Sequence, residues 1–214
     1  MSTPLELRNW RKGAQRSLRL LFNGMVKALG EWKAGVAQGK ILTTDIANLI
    51  LEYRCIEKDA ALMDSLPLDA RSIFQSRYTM KLQRKLDSLR MIVEALANAC
   101  ASMSKALEDF KTILLCDDES DTHLGDPRLD MAICTSLTFR QISLLFDDIV
   151  EKYQRELGIK QKILDDFCND GQHDEAFYQV HITAWMTDVE IDSNRVQHVM
   201  RDVALDAGMP YNNE

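Results

Sequence analysis

The sequence predicts an all-α protein: an elongated helical bundle with a long central coiled-coil helix and a C-terminal helical segment. Ten positions keep a strict 4-3-4-3 spacing: Leu82, Leu86, Leu89, Val93, Leu96, Cys100, Met103, Leu107, Phe110 and Leu114. This 3.5-residue repeat is the one by which a helix seats its side chains in the holes of a facing helix. A helix over that run extends roughly 50 Å at about 1.5 Å per residue, longer than a small core needs. The seam therefore requires cover from another helix, of this chain or of a partner. Only 4 Pro and 9 Gly interrupt 214 residues, and clusters of β-branched residues are sparse, which favours long helices over strands. The apolar share of 46% and charged share of 28% are those of an ordinary globular chain able to bury a core.

The first helix is expected over about 5–36, with the stripe Trp10, Ala14, Leu18, Leu21, Met25, Leu29, Trp32 and Val36. Pro4 suits its entrance, and Gly35 with Gly39 punctuates its exit. Gly13, Gly24 and Gly30 inside it each cost up to about 1 kcal/mol against Ala, so tertiary packing must hold it. Thr43 or Thr44 can cap a second helix to about residue 65, carrying Ile46, Leu49, Ile50, Tyr53, Ile56 and Leu62. Pro67 breaks the chain, and Asp69 can cap the heptad helix over about 70–115.

A polar loop follows, with Asp117, Asp118, Glu119, Asp121 and Gly125-Asp126-Pro127, the clearest linker signal in the chain. The division is thus 1–116, N-terminal helices and coiled coil; 117–135, acidic polar linker; and 136–209, C-terminal helical region. In the last region, about 136–168 carries Ile142, Leu145, Ile149, Tyr153, Leu157, Leu164 and Phe167 at helical spacing, and Asn169-Asp170-Gly171 stops it. Residues about 174–187 hold Phe177, Val180, His181, Ala184 and Trp185. Asp192 or Ser193 caps a last helix with Val196, Val199, Met200 and Val203, closed by Gly208 and Pro210.

The net charge of −7 conceals a gradient. Residues 1–40 carry +6 through Arg8, Arg11, Lys12, Arg16, Arg19, Lys27, Lys33 and Lys40, whereas residues 91–214 carry −14. Such asymmetry can orient docking, although a solvated basic helix face explains it as well. An acidic whole without aromatic–basic interleaving argues against a dedicated nucleic-acid binder. No run of about 18 apolar residues exists to span a membrane, and charges from Glu6 onward with no apolar signal core point away from secretion. Five cysteines without a CxxC pair suggest reduced, intracellular thiols of structural use, with Cys100 as a small apolar filler on the seam.

No catalytic, cofactor-binding or metal-binding constellation stands out. There is no Gly-rich phosphate loop, GxSxG or HExxH, and the four His share no one-turn ligand spacing. Cys168 and His173 with Asp170, Asp174 and Glu175 straddle a turn and match no known ligand set. Asp147, Asp148 and Glu151 lack the Glu-x-x-His repeats of di-metal bundles; Glu151 instead faces Arg155 at i,i+4. Two short signals concern kinases. Arg19-Leu20-Leu21-Phe22 has the Arg-x-Leu-Phe form that cyclin grooves accept, but Leu21 belongs to the core stripe. Thr3-Pro4 is a single proline-directed pair.

The segment Tyr153-Gln154-Arg155-Glu156-Leu157, with Lys160 and Lys162 following, then Trp185 and Val189-Glu190-Ile191-Asp192-Ser193-Asn194-Arg195, ending at Asp206-Ala207-Gly208, is similar to the C-terminal signature of the cyclin-dependent kinase 2-interacting protein family. Trp32, Thr43-Thr44 and Ile46-Ala47-Asn48-Leu49 resemble an N-terminal segment of the same family. The likeness is strongest over about 139–208. It implies a nuclear, or nuclear and cytoplasmic, non-catalytic adaptor without cofactors, associated with cyclin-dependent kinase 2, origin-loading factors and the ATR-interacting checkpoint protein. It also implies a regulatory subunit of an AAA+ ATPase assembly, built from spermatogenesis-associated protein 5-type ATPases and a small helical companion, acting in DNA replication and large ribosomal-subunit maturation. Tyr153, Trp185, Asp192, Ser193 and Arg195 are the expected partner contacts. The rival expectation is a homodimeric coiled-coil tethering protein joined through the seam; a further rival is an enzyme of unrecognised type.

Overall fold

A computed structural model of the chain describes residues 4–59, 65, 67–114 (Leu114 by its backbone), 127–169 and 173–211. The expectations placed on Thr3, Leu62, Cys116, the acidic cluster 117–121, His123, Gly125, Asp126, Asp170 and Gly171 lie outside the described residues. The chain is all-α. Among the described residues five α-helices of several turns follow in order: α1 Pro4–Lys58, α2 Leu68–Lys111, α3 Phe139–Cys168, α4 Glu175–Thr187 and α5 Ser193–Ala207, with short 3₁₀ turns at Thr112–Leu114 and Pro127–Asp130. Among the described residues there is no strand, only an isolated bridge between Ala132 and Thr138. Nor is any helix among the described residues long and apolar enough to cross a membrane.

The sequence predicts a break near Gly35–Gly39 and a fresh cap at Thr43 or Thr44; the structure corrects both. Residues 4–58 form one helix. Thr43 and Thr44 turn their hydroxyls back to the Lys40 carbonyl at 3.1 and 2.9 Å, the alternative to capping open to a threonine inside a helix. The glycines serve close approach instead of termination. A Cβ on Gly35 would lie 2.7 Å from Leu96 Cδ2, and one on Gly39 would lie 2.1 Å from Trp185 Cζ2. The last two helices start on aspartate caps, that of α5 at the Asp192 expected from the sequence. Asp174 accepts from the Phe177 amide ahead of α4, and Asp192 accepts from the amides of Asn194 and Arg195 ahead of α5. Gly208 closes α5 in the left-handed conformation (φ 63°), donating its N–H to the last turn.

The described chain packs as two compact units, which cut across the divisions drawn along the sequence. The first comprises 1–30, 98–155 and 190–214; the second comprises 31–97 and 156–189. In the first unit, Leu18, Leu21 and Met25 of α1 are buried with Met103, Leu107 and Phe110 of α2, Phe146 of α3 and Met200 of α5. Phe110 stacks on Phe139 at 4.5 Å between ring centroids, and Cys100 donates its thiol to the Tyr153 carbonyl at 3.5 Å. In the second unit, Trp32, Ile46 and Ile50 of α1 are buried with Leu89 and Leu96 of α2, Phe167 of α3, and Tyr178 and Trp185 of α4.

The heptad positions Leu86, Leu89, Val93, Leu96, Cys100, Met103, Leu107 and Phe110 are all buried by this chain alone, and Leu82 is half-buried. Two stripe assignments change. Val180 is exposed, and Tyr178 takes the buried position on α4 instead. The Arg-x-Leu-Phe segment lies inside α1 with Leu21 and Phe22 buried.

Candidate partner-binding surfaces

The five expected contact residues divide between the two units, and most of them do structural work. Trp185 is 0% exposed and Tyr153 is buried, so neither offers its ring to a partner; this differs from the contact role expected of them. Asp192 is spent on the α5 cap. Ser193 is an exposed first residue of α5, and Arg195 is exposed and pairs with Asp148 at 3.1 Å. Asp148 also receives Lys152 at 3.0 Å, Asp147 pairs with Lys111 at 2.7 Å, and Glu151 pairs with Arg155 as expected. The α3 carboxylates thus belong to ordinary ion pairs.

In the second unit, Trp185 sits at a polar node that sequence patterning missed. Lys160 of α3 is fully buried with Glu156, one turn earlier, at 2.7 Å; Asp188 lies at 2.9 Å. The same ammonium donates to the Ala184 and Trp185 carbonyls at 3.1 and 2.6 Å, and it lies 5.4 Å from the Trp185 ring centroid. Those carbonyls belong to the last turn of α4, which lacks intrahelical partners and carries the negative end of the helix dipole. A buried cation there satisfies the helix end and its own hydrogen-bonding capacity together. Asp188, at φ 44°, turns the chain out of α4 in the left-handed region and aims its carboxylate back at Lys160. Trp185 donates its indole N–H to the Val36 carbonyl at 3.0 Å. The i,i+4 spacing of Glu156 and Lys160 was visible in the sequence; their burial was not.

In the first unit, the loop before α3 is clamped. Arg11 donates to the Ile133 and Cys134 carbonyls at 2.9 and 2.5 Å, and Gln15 also donates to Ile133. Asp206 of α5 accepts from the Ser136 hydroxyl and amide at 2.6 and 2.7 Å and from the Leu137 amide at 3.1 Å. Burial by itself would raise the Asp206 carboxyl; the Ser136 hydroxyl and the loop amides outweigh it and hold the carboxyl below its ordinary value.

A partly exposed aromatic groove lies within the second unit, between the C-terminal part of α1 and the N-terminal part of α2. Tyr53 stacks between Phe74 and Tyr78, with centroids 5.6 and 3.8 Å away and planes within 14°. All three rings are only half-buried. They line a groove of about 240 Å³ with Leu49 and Ile56; Glu52 is on the α1 lip, and Arg77 and Lys81 are on the α2 lip. The i,i+4 spacing of Phe74 and Tyr78 was legible, but not the insertion of Tyr53 between them.

Among the described residues no group of His, Cys, Asp or Glu could hold a metal ion; Asp174 caps α4, and His173 stacks on Phe177 at 3.8 Å. No protein-family model matches the chain, and no curated protein matches it.

Proposed function

We propose that this chain is a non-catalytic helical adaptor. It brings partners together by presenting a preformed helical surface. The observation that carries the reading is a contrast: the heptad seam is consumed by the chain's own fold, while the Tyr53–Phe74–Tyr78 groove remains open. Aromatic and arginine side chains at a concave, partly desolvated site are the residue types that dominate binding energy at protein interfaces. The coiled-coil character proposed for α2 is then intramolecular.

The resemblance to the cyclin-dependent kinase 2-interacting protein family supplies the setting: a nuclear regulatory subunit of an AAA+ ATPase assembly in DNA replication, genome maintenance and large ribosomal-subunit maturation, with association to cyclin-dependent kinase 2 and checkpoint factors. The ATPases would supply the hydrolysis. Burial of the seam within one chain weighs against the homodimeric tether, because a second copy would have to displace this core.

Affinity purification of the full chain with mass spectrometry tests the proposal. Recovery of AAA+ ATPase subunits and a small helical companion is the expected result. Recovery of neither an AAA+ ATPase nor a replication factor would sink the assignment. A tight homodimer through 82–114, measured by light scattering, would favour the tether instead.

A further inference from the structure

The groove between α1 and α2 has a polarity that narrows what it can hold. Its floor and walls are apolar, from Leu49, Tyr53, Ile56, Phe74 and Tyr78. The α2 lip carries Arg77 and Lys81, and Arg84 continues the same row one turn on. All three are exposed, and none has a hydrogen-bond or ion-pair partner among the described residues. Their neighbour Lys85 is neutralised by Asp45 at 2.6 Å, and Arg90 further along by Asp87 at 2.7 Å. Lys85, the cation adjoining this row, is thus matched within the chain, while the three beside the groove are not. The α1 lip carries the carboxylate of Glu52, which has no hydrogen-bond or ion-pair partner among the described residues.

Size separates a small molecule from a peptide. At about 240 Å³ the groove falls below the roughly 300–1,000 Å³ of sites that engulf small ligands. It suits a few side-chain anchors from a helix laid along it, read at i, i+3 or i+4 and i+7.

We infer that the Tyr53–Phe74–Tyr78 groove receives an amphipathic helix of a partner protein, with apolar anchors in the groove and acidic residues along the edge that meets Arg77, Lys81 and Arg84. This rests on the adaptor reading and names the chemistry of one docking segment. The aromatic rings supply the buried apolar contact. The unmatched cations set the direction of the bound helix and exclude basic sequences, since like charges across an interface are selected against.

The test uses the purified full chain and a phage-displayed library of amphipathic helical peptides. Enriched peptides are expected to carry apolar residues at i, i+4 and i+7 with Asp or Glu along one flank. Their affinity, measured by fluorescence anisotropy, should fall roughly tenfold or more on the Arg77→Glu/Lys81→Glu double variant, where two exposed attractions become repulsions. It should return when the peptide's acidic residues are changed to Lys. Both substitutions are at exposed positions, so circular dichroism should show an unaltered fold. No enrichment, enrichment of neutral or basic peptides, or binding indifferent to the double variant would overturn the inference. So would a homodimer that the double variant dissolves, which would make the groove a self-association surface. If affinity purification recovers the ATPase equally with the wild-type chain and the double variant, the adaptor reading stands and this docking site falls.

Discussion

Trp185 meets Gly39 of α1 where no side chain could stand: a Cβ there would lie 2.1 Å from Cζ2 of the ring, while the indole N–H reaches the Val36 carbonyl at 3.0 Å. Gly39→Ala gains up to about 1 kcal/mol of helix propensity but drives a methyl into a rigid, fully buried ring, and overpacking of that kind costs about 1–3 kcal/mol. At Gly30, in the same helix, a Cβ would meet nothing within 4 Å. Gly30→Ala is therefore expected to stabilise the chain and Gly39→Ala to destabilise it, measured by urea denaturation followed by circular dichroism. A Gly39→Ala variant as stable as Gly30→Ala would remove the ring contact as an explanation for this glycine.

Lys160 and Glu156 should behave as a unit. Lys160→Met leaves the fully buried Glu156 and the partly buried Asp188 without their cation, a loss of about 3–5 kcal/mol for a broken buried pair. Lys160→Met/Glu156→Met removes both charges of the buried pair and is expected to recover at least about half of that loss. Additive effects of the two single changes would contradict the coupling.

The Asp206 clamp predicts a pH signature. The folded carboxyl lies below its ordinary value, so its contribution is fully present above the unfolded pKa near about 3.9 and declines as pH falls through the folded value. Asp206→Asn is expected to cost about 1–2 kcal/mol at neutral pH, low in the range for hydrogen bonds to charged groups because the site is partly open to water. The stability gap between wild type and variant should narrow below about pH 4 in a urea series. A gap constant down to pH 2 would assign the effect to packing.

Cys100 reports on the seam chemically. Burial pushes its thiol up to about 11, whereas Cys55 and Cys168 are exposed. At pH 8 iodoacetamide should label Cys100 at least about a hundredfold more slowly than an ordinary thiol, because so little thiolate is present. Peptide mass spectrometry reads each site. Equal labelling of Cys100 and Cys55 would mean that the chain by itself leaves the seam open.

The elements were legible where the signal is local. The seam from Leu86 to Phe110, the α1 stripe from Trp10 through Trp32, and the caps at Asp192 and Gly208 all depend on spacing or on a single residue's hydrogen bond. Gly35, Gly39, Thr43 and Thr44 misled because each suits a helix end when only its neighbours in sequence are considered. Gly35 and Gly39 lack a Cβ for the sake of Leu96 and Trp185, residues from distant parts of the chain. The candidate site was legible only in part. Phe74 and Tyr78 show a helical spacing, but Tyr53 becomes their third ring only once α1 and α2 pack.

By itself, then, the sequence determined the helical class, most of the apolar residues that line its core, and the chemistry that starts and stops its last helix, because periodicity and capping act within a few residues. The tertiary structure alone decided that α1 runs unbroken to Lys58, that the seam is covered from within, that Lys160 is a buried clamp, and that Arg77 and Lys81 stand unmatched beside an aromatic groove. Each of these depends on which distant side chain arrives to fill a space or neutralise a charge, and spacing along one helix carries no record of that arrival.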